Sequence, residues 1–314
     1  MYDLIIIGAG PGGLAAGLYA GRARLKTLII EEKVTGGQIA ITASIENYPG
    51  GLTEHESGRT LTDRMEEQAK TFGAEFKKAH VKDVDLDGKV KKVYLAGDEV
   101  LEAKAIIIAT GAAPKKLNVP GERELTGKGV SYCATCDADF FTDFEVFVVG
   151  ARNSAVEEAI YLCDFARKVT LLVRREKLRC DEIVAKRAET KENLEIKYHT
   201  SIKELRSNDG MLDEILFVNN ETGEETVFHA DEDDGLVGVF VFIGADPASQ
   251  MFEGKINMTE DGYIITDKCM RTNKDLVFAV GDIRDTPLRQ VITAASDGAI
   301  AAVTIEKELK ALDY

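Results

Sequence analysis

Two stretches of the chain share one pattern: residues 3–20 read DLIIIGAGPGGLAAGLYA, and residues 145–162 read EVFVVGARNSAVEEAIYL. In each stretch a short apolar run ends at a glycine, a turn of small residues follows, and a helix-like segment begins. Gly8 aligns with Gly150, and Gly13 aligns with Ala155. This strand–turn–helix repeat predicts two dinucleotide-binding βαβ units.

Further segments extend the repeat in both halves. A second apolar strand is predicted about 20 residues after each turn, turn-punctuated β segments come next, and a buried strand ending in glycine closes each half. The second strands are residues 27–30 and 169–173, the β segments are 81–86, 90–95, 100–103, 202–205, 212–218 and 225–229, and the closing strands are 106–111 and 239–244. The stretch 59–72 predicts an amphipathic helix with Leu61, Met65 and Ala69 on its apolar face.

The tail from Ala245 is too short to form a domain, yet it carries one more strand-and-glycine motif, VFAVGD at 277–282. We therefore expect the tail to complete the first domain. The predicted fold is α/β, with two Rossmann-like dinucleotide-binding domains of three ββα layers, the second inserted in the first. The expected boundaries are 1–114 with 246–314 for the first domain and 115–245 for the second.

The first turn satisfies the G-x-G-x-x-G pattern between a strand and a helix. Gly8 permits the tight turn, Gly10 lets the backbone approach a pyrophosphate, and Gly13 lets helix and strand pack closely. Glu31 ends the second strand, where an acid would bind a ribose hydroxyl. The predicted dinucleotide contacts at this turn are Gly8, Ala9, Gly10, Pro11, Gly12 and Gly13.

The second turn departs from the pattern because Arg152 occupies the place of the second glycine. Its side chain would crowd a pyrophosphate or offer it a charge. Arginines, not an acid, follow the second strand, and arginines suit a 2′-phosphate. We predict an NADPH site, with a solvated basic face as the alternative. The predicted contacts are Gly150, Asn153, Ser154, Arg174, Arg175 and Arg179.

Cys133 and Cys136 are the one pair of the five cysteines that is close in sequence. Two-residue spacing lets both thiols reach disulfide geometry at a helix start, where the helix dipole lowers a thiol pKa. Zinc is the rival interpretation, but the four histidines are scattered and no second CxxC exists. Asp137 is the candidate proton donor and acceptor; its alternative role is a helix N-cap. We predict a redox-active pair and no metal.

The net charge of −15 argues against nucleic acid and anionic membranes as partners. The acidic run 231–234 precedes a glycine and is typical of a solvated turn. No apolar stretch approaches 20 residues, so we expect no transmembrane helix and a cytoplasmic protein.

This combination resembles the low-molecular-weight, bacterial-type thioredoxin reductases over essentially the whole chain. The motifs that carry the resemblance are GAGPGG at 8–13, GGQ at 36–38, ENYPG at 46–50, ATG at 109–111, SYCATCD at 131–137, VGD at 280–282 and RQV at 289–291. The resemblance implies FAD in the first domain, NADPH in the second, thioredoxin or a thioredoxin-like protein as partner, and a homodimer.

The resemblance also implies roles for individual residues. Cys136 would face the flavin and Cys133 would attack the thioredoxin disulfide. A rotation of one domain on the other would alternate these contacts, and a cross-link that locks the domains is then expected to abolish thioredoxin reduction. The FAD contacts implied beyond the first turn are Glu31, Glu32, Gly37, Gln38, Asn47, Val81, Gly111, Gly281, Asp282, Arg289, Gln290 and Val291.

Two departures from the family pattern leave the electron donor open: Ala151 and Arg152 interrupt the second glycine turn, and Val173 replaces a histidine before the arginines. One alternative is the same fold and dithiol supplied by ferredoxin or another non-nicotinamide donor. Another is a ferredoxin–NADP reductase of related fold, whose chemistry needs no dithiol. A flavin-binding module without catalytic activity is the third.

Overall fold

The computed structural model describes residues 1–42, 45, 47–51, 56–231 and 233–312. Glu46 of the ENYPG motif, His55 and Glu232 of the acidic run therefore lie outside the described residues. The chain divides into two compact units, Met1–Ala113 with Asp246–Tyr314, and Pro114–Ala245. The predicted α/β fold with two Rossmann-like units is confirmed.

The first unit starts with a parallel sheet that alternates with helices. Its elements in chain order are β1 (Tyr2–Ile7), α1 (Pro11–Arg22), β2 (Thr27–Glu31), α2 (Gly58–Thr71), β3 (Glu75–Lys78), β4 (Val81–Asp85), β5 (Lys91–Leu95), β6 (Val100–Ile108) and β7 (Ala112–Pro114). Strands β3, β2, β1 and β6 lie side by side in that order and run parallel, whereas β5 and β4 continue the sheet antiparallel.

The second unit repeats this plan. Its elements are β8 (Val130–Ser131), α3 (Ala134–Asp137), β9 (Glu145–Val149), α4 (Asn153–Leu162), β10 (Lys168–Leu172), α5 (Glu182–Glu189), β11 (Leu194–Lys197), β12 (Thr200–Arg206), β13 (Glu214–Asn219), β14 (Glu225–His229) and β15 (Gly238–Val241). The parallel sheet has the order β11-β10-β9-β15-β8, and β12, β13 and β14 form a separate antiparallel sheet.

The remaining chain adds β16 (Ala245–Pro247), β17 (Val277–Ala279) and α6 (Val291–Leu312). β17 pairs parallel with β6, so the tail completes the first sheet as expected. One sequence expectation is wrong: residues 100–103 and 106–111 do not form two strands, because β6 runs unbroken from Val100 to Ile108. No turn residue separates its two parts. The first part pairs with β5 and the second with β1.

Both faces of each parallel sheet are buried at its central strands, which is why β1, β9 and β15 are almost wholly apolar. Along β1, Leu4 and Ile6 face a core shared with α1, α2 and α6, while Ile5 and Ile7 face a core shared with β4 and β5. In the second unit, Val148 packs towards the helices.

The opposite face of the second sheet, with Phe147, packs against β12–β14. Each unit therefore has three layers. The predicted apolar face of α2 is also confirmed, since Leu61, Met65 and Ala69 are buried. None of the helices in the described ranges combines the length and apolarity that crossing a bilayer requires.

Candidate active site

The first glycine turn joins β1 to α1 and excludes side chains at two positions. A Cβ at Gly8, whose φ is +108°, would lie 2.3 Å from the carbonyl oxygen of Ala109, and one at Gly13 would lie 2.0 Å from the carbonyl oxygen of Gly8. A Cβ at Gly10 would meet no atom within 4 Å. Gly10 is the N-cap of α1, and no side chain caps the helix. The turn therefore leaves open space in front of the first-turn N–H groups, which is where an anion binds.

The loop after β2 lies against this turn. Glu31 accepts hydrogen bonds from the backbone of Ala9 at 2.9 Å and of Lys33 at 3.0 Å. Gly36 donates its N–H to the Ala9 carbonyl at 2.8 Å, and a Cβ at Gly37 would lie 3.2 Å from the Cα of Gly10. The predicted acid and the predicted loop are thus brought to the glycine turn. Glu32 pairs at the surface with His80 at 3.1 Å, and Gln38 is exposed.

The C-terminal segment reaches the same turn. A Cβ at Gly12 would lie 3.2 Å from Val280 Cγ2, 3.2 Å from the carbonyl oxygen of Ala294 and 3.7 Å from the amide nitrogen of Gly281. Burial raises the pKa of the neighbouring Asp282 carboxyl. Three of the remaining predicted FAD contacts lie at or before the start of α6: Asn47 Nδ2 donates to Gln290 Oε1 at 3.1 Å, Arg289 lies over the Tyr263 ring, and Val291 begins the helix. Gly111 adopts a φ of +71°. The Val81 side chain is buried in the sheet core.

The second turn accommodates its arginine without backbone strain. Arg152 is extended, with φ −91° and ψ 175°, and its side chain is exposed at the N-cap of α4. A Cβ at Gly150 would lie 2.4 Å from Ala155 Cβ and 2.6 Å from the carbonyl oxygen of Phe242. Glycine is therefore required at 150 for packing, whereas position 152 tolerates a side chain. Ser154 is exposed in the first turn of α4.

A basic loop is held beside this turn. Asn153 and Asp181 exchange two hydrogen bonds of 2.8 Å, and Arg179 donates its N–H to the Ala151 carbonyl at 2.7 Å. The side chains of Arg174, Arg175 and Arg179 are all exposed. In the described part of the chain no carboxylate forms an ion pair with these three or with Arg152. The loop therefore presents unneutralised guanidinium groups.

Cys133 and Cys136 form a disulfide, with their Cα atoms 5.3 Å apart. Cys133 is the N-cap of the short helix α3, so the predicted helix start is confirmed. Both sulfur atoms are bonded to each other and neither offers a thiolate to zinc. Within the described ranges, no group of three or more His, Cys, Asp or Glu side chains is arranged to hold a metal ion. The helix packs against α4 through an apolar cluster that includes Ala134 and Ala159.

Asp137 closes α3 instead of opening a helix, so the N-cap interpretation of this residue is wrong. The chain turns into the helix at Cys133, four residues earlier, and the Asp137 carboxyl points back to the preceding strand. Its Oδ2 lies 2.5 Å from the Ser131 hydroxyl. Burial raises the pKa of Asp137, and the hydrogen bond from Ser131 opposes the increase. A carboxyl whose pKa is raised keeps its proton to a higher pH than an ordinary aspartate, which suits a proton donor.

Comparison with known proteins identifies the family. The model of the pyridine nucleotide-disulphide oxidoreductases matches residues 2–298. The chain belongs to this family. It is 53% identical over 312 residues to a thioredoxin reductase of Peptoclostridium acidaminophilum, covering 99% of this chain and 98% of that one. It is 46% identical over 312 residues to the thioredoxin reductase of Bacillus subtilis (strain 168), with 99% and 96% covered.

Solved structures in the family have the same fold. The crystal structure of thioredoxin reductase from Streptococcus pyogenes MGAS5005 superposes with a TM-score of 0.92 at 42% identity, covering 99% of both chains. The resemblance read from the motifs is therefore confirmed over the full length.

Three residues near the predicted sites were missed by the sequence interpretation. Ser131 joins Asp137 to the cysteine segment. Glu158, on α4, has an Oε2 atom that is buried and has no hydrogen-bond partner among the described residues, and burial raises its pKa. Asp297, on α6, is buried and accepts from Gly281 N–H at 3.1 Å. For Glu158 and Asp297 the sequence did offer a signal, because each is an acid on the otherwise small or apolar face of a predicted helix.

Proposed function

We propose that this chain is an NADPH-dependent thioredoxin-disulfide reductase that holds FAD in its first unit. The observation that carries the proposal is the Cys133–Cys136 disulfide next to a half-buried acid, Asp137, in the unit that also contains the second dinucleotide turn. A CxxC disulfide accepts two electrons and becomes a dithiol, which can pass the electrons to another disulfide by exchange. A module that only stores flavin needs neither the pair nor the acid.

The first unit fits a flavin dinucleotide. The open space at Gly10, the uncapped N-terminus of α1 and the carboxylate of Glu31 match the needs of a pyrophosphate and a ribose. Bound there, the flavin supplies a relay for two electrons between the nicotinamide and the disulfide. We assign its binding to Gly8, Ala9, Gly10, Pro11, Gly12, Gly13, Glu31, Glu32, Gly37, Gln38, Asn47, Val81, Gly111, Gly281, Asp282, Arg289, Gln290 and Val291.

The second unit fits a phosphorylated nicotinamide dinucleotide. Arg174, Arg175 and Arg179 have no carboxylate partner among the described residues and would bind a 2′-phosphate through charge-assisted hydrogen bonds. The unsatisfied Oε2 of Glu158 is an acceptor for an amide N–H such as that of the nicotinamide carboxamide. Gly150, Asn153 and Ser154 shape the turn for the pyrophosphate.

The thiol chemistry falls to three residues of the chain. The Cys133 thiolate attacks a sulfur of the substrate disulfide, a mixed disulfide forms, and the first substrate thiolate leaves. The Cys136 thiolate then attacks Cys133 Sγ, which re-forms the Cys133–Cys136 bond and releases the second substrate thiolate. Asp137 gives a proton to the first leaving thiolate, takes the proton of the Cys136 thiol, and gives that proton to the second leaving thiolate. Two electrons and two protons thus pass to the substrate.

Anaerobic titration of the holoprotein with NADPH, NADH and reduced ferredoxin in parallel tests the donor. Bleaching of the flavin band by NADPH, complete only after about two equivalents because the Cys133–Cys136 disulfide also accepts two electrons, with a slower response to NADH, is the expected result. Bleaching by ferredoxin alone would establish the alternative donor instead. Cys133→Ser should retain the flavin and lose thioredoxin reduction, and full activity in that variant would refute the proposed dithiol mechanism.

We also propose that the protein is a homodimer located in the cytoplasm, as its resemblance to the thioredoxin reductases implies. Analytical ultracentrifugation of the flavin-loaded protein tests the first statement, and a mass near twice 34.3 kDa is expected. A single-chain mass at micromolar concentration would contradict it.

A further inference from the structure

Ser131 is the one side chain that connects the proposed proton donor with the cysteine segment among the described residues. It is 5% exposed. Its Oγ lies 2.5 Å from Asp137 Oδ2, 3.1 Å from the amide nitrogen of Cys133 and 3.3 Å from the carbonyl oxygen of Cys133. A serine hydroxyl donates one hydrogen and accepts through two lone pairs, so this hydroxyl can accept the Cys133 N–H while its single hydrogen is shared between two possible acceptors, Asp137 Oδ2 and the Cys133 carbonyl.

The fold holds this hydroxyl in place. Ser131 ends β8, which pairs parallel with β15 so that Ser131 lies opposite Phe240 in the buried sheet. Cys133 is the N-cap of α3, and the N–H of Asp137 donates to the Cys133 carbonyl at 3.2 Å. The strand end and the helix turn therefore fix the acid, the hydroxyl and the Cys133 backbone relative to one another.

We propose that Ser131 is a positioning residue of the thiol chemistry, whose hydroxyl ties the Asp137 carboxyl to the Cys133 backbone in both protonation states of that carboxyl. When Asp137 is ionised, the Ser131 hydroxyl donates to Oδ2 and accepts the Cys133 N–H. When Asp137 is protonated, its O–H donates to Ser131 Oγ, and the serine hydrogen turns to the Cys133 carbonyl. The inference rests on the proposed function, because it assumes that Asp137 transfers a proton.

The exchange balances in atoms and requires no movement of heavy atoms. The Asp137 proton passes to a leaving thiolate, giving a thiol and a carboxylate, and the serine hydroxyl rotates to donate to that carboxylate. No electron is transferred in this step. Without Ser131 the new carboxylate would be half-buried with no hydrogen-bond donor from this strand, which is costly.

Burial and the Ser131 hydrogen bond act on the pKa of Asp137 in opposite directions, and burial has the larger effect. Burial raises the pKa of Asp137, and the Ser131 hydrogen bond lowers it. The titratable and charged groups on the neighbouring elements of this unit are Arg152, Glu157, Glu158, Tyr161 and Cys163 on or next to α4, and Asp139 in the turn that follows α3. The pKa of Asp137 is set by its burial and by the Ser131 hydrogen bond, not by the charges of these groups.

The test is a single-turnover measurement with the flavin-loaded protein. Wild type, Ser131→Ala, Ser131→Thr and Asp137→Asn are reduced with dithiothreitol and freed of excess reductant. Each is then mixed with bis(2-hydroxyethyl) disulfide, whose alkyl thiolate needs a proton to leave, between pH 5 and 9. For each protein, the rate constant of disulfide reduction is plotted against pH. The limb of this pH–rate profile that vanishes in Asp137→Asn is the one that depends on the Asp137 carboxyl.

In Ser131→Ala the midpoint of this limb should lie about one pH unit higher than in wild type, because the Asp137 carboxylate loses one hydrogen bond and its pKa rises. Ser131→Thr, which keeps the hydroxyl, should restore the wild-type limb, and melting temperature and flavin spectrum should be unchanged in both. If Ser131→Ala does not fold, Ser131→Gly removes the same hydroxyl and should give the same shift.

If the Asp137-dependent limb of Ser131→Ala or Ser131→Gly coincided with that of wild type, the inference would be overturned. The result can be separated from the proposed function because the reaction uses neither NADPH nor thioredoxin. A wild type that fails to reduce thioredoxin with NADPH, yet shows the shifted limb in Ser131→Ala, would refute the proposed function and support the inference.

Discussion

Gly298 is the position at which α6 crosses the first glycine turn, and its replacement by alanine gives a sharp test of this packing. In a helix interior, alanine in place of glycine normally stabilises by about 1 kcal/mol. Here a Cβ would lie 2.1 Å from the carbonyl oxygen of Gly12 and 2.8 Å from the amide nitrogen of Ala16. Carbon–oxygen contacts are rarely closer than about 3.3 Å, so α6 and α1 would have to separate by roughly 1 Å.

The obstacle is backbone, which cannot rotate away, so the cost should lie near the upper end of overpacking penalties, about 3 kcal/mol. Subtracting the helix-propensity gain of about 1 kcal/mol leaves a net loss of about 2 kcal/mol. For a unit of this size that corresponds to a melting temperature lower by roughly 4–8 °C. Flavin retention should fall as well, because Gly12 belongs to the turn assigned to the pyrophosphate.

Gly17→Ala in α1 is the matched control. Its Cβ would lie 2.5 Å from Ile29 Cδ1, the end of a side chain that can change rotamer, so its net effect should be small. The assay is thermal melting followed by far-UV circular dichroism and by release of flavin fluorescence, with the flavin-to-protein ratio measured after gel filtration. A Gly298→Ala protein that melts with the control and keeps its flavin would refute the reasoning.

Three further outcomes are expected. Cys136→Ser should retain NADPH-dependent bleaching of the flavin but lose thioredoxin turnover, and turnover above background would contradict the exchange mechanism. Arg174→Gln with Arg175→Gln should raise KM for NADPH at least about tenfold while leaving KM for NADH nearly unchanged, since charge-assisted hydrogen bonds to the 2′-phosphate are lost; equal changes for both cofactors would argue for a solvated basic face. Burial raises the pKa of Asp282, so in flavin-free protein the ionisation of this carboxyl lowers the free energy of unfolding. The loss is absent below the ordinary Asp pKa of about 4 and is complete once the pH has risen through the raised pKa. Asp282→Asn without flavin should therefore melt above wild type at pH 8 but not at pH 4, and a gain of equal size at both pH values would contradict this.

Local patterns were sufficient for the elements that depend on neighbours in sequence. The apolar runs of β1 and β9, the glycine turns after them and the buried face of α2 follow from periodicity and from steric rules that act over a few residues. The edge strands β3 and β11 were missed because each has only four residues, EFKK with three charges and no alternation and LEIK with an alternation too short to stand out. They are strands because an adjacent parallel strand offers them hydrogen bonds.

The sequence by itself determined the duplicated strand–turn–helix plan, the redox spacing of Cys133 and Cys136, and through its motifs the family, because each of these is written within a short stretch of chain. Only the tertiary structure decided which distant groups meet: Gly298 against Gly12, and Asn47 beside Gln290. It also decided that Asp137 faces Ser131, since β8 had to pair with β15 before that hydroxyl could be fixed. These contacts join segments whose separation in sequence carries no periodic signal, and they form because both faces of each sheet must be buried.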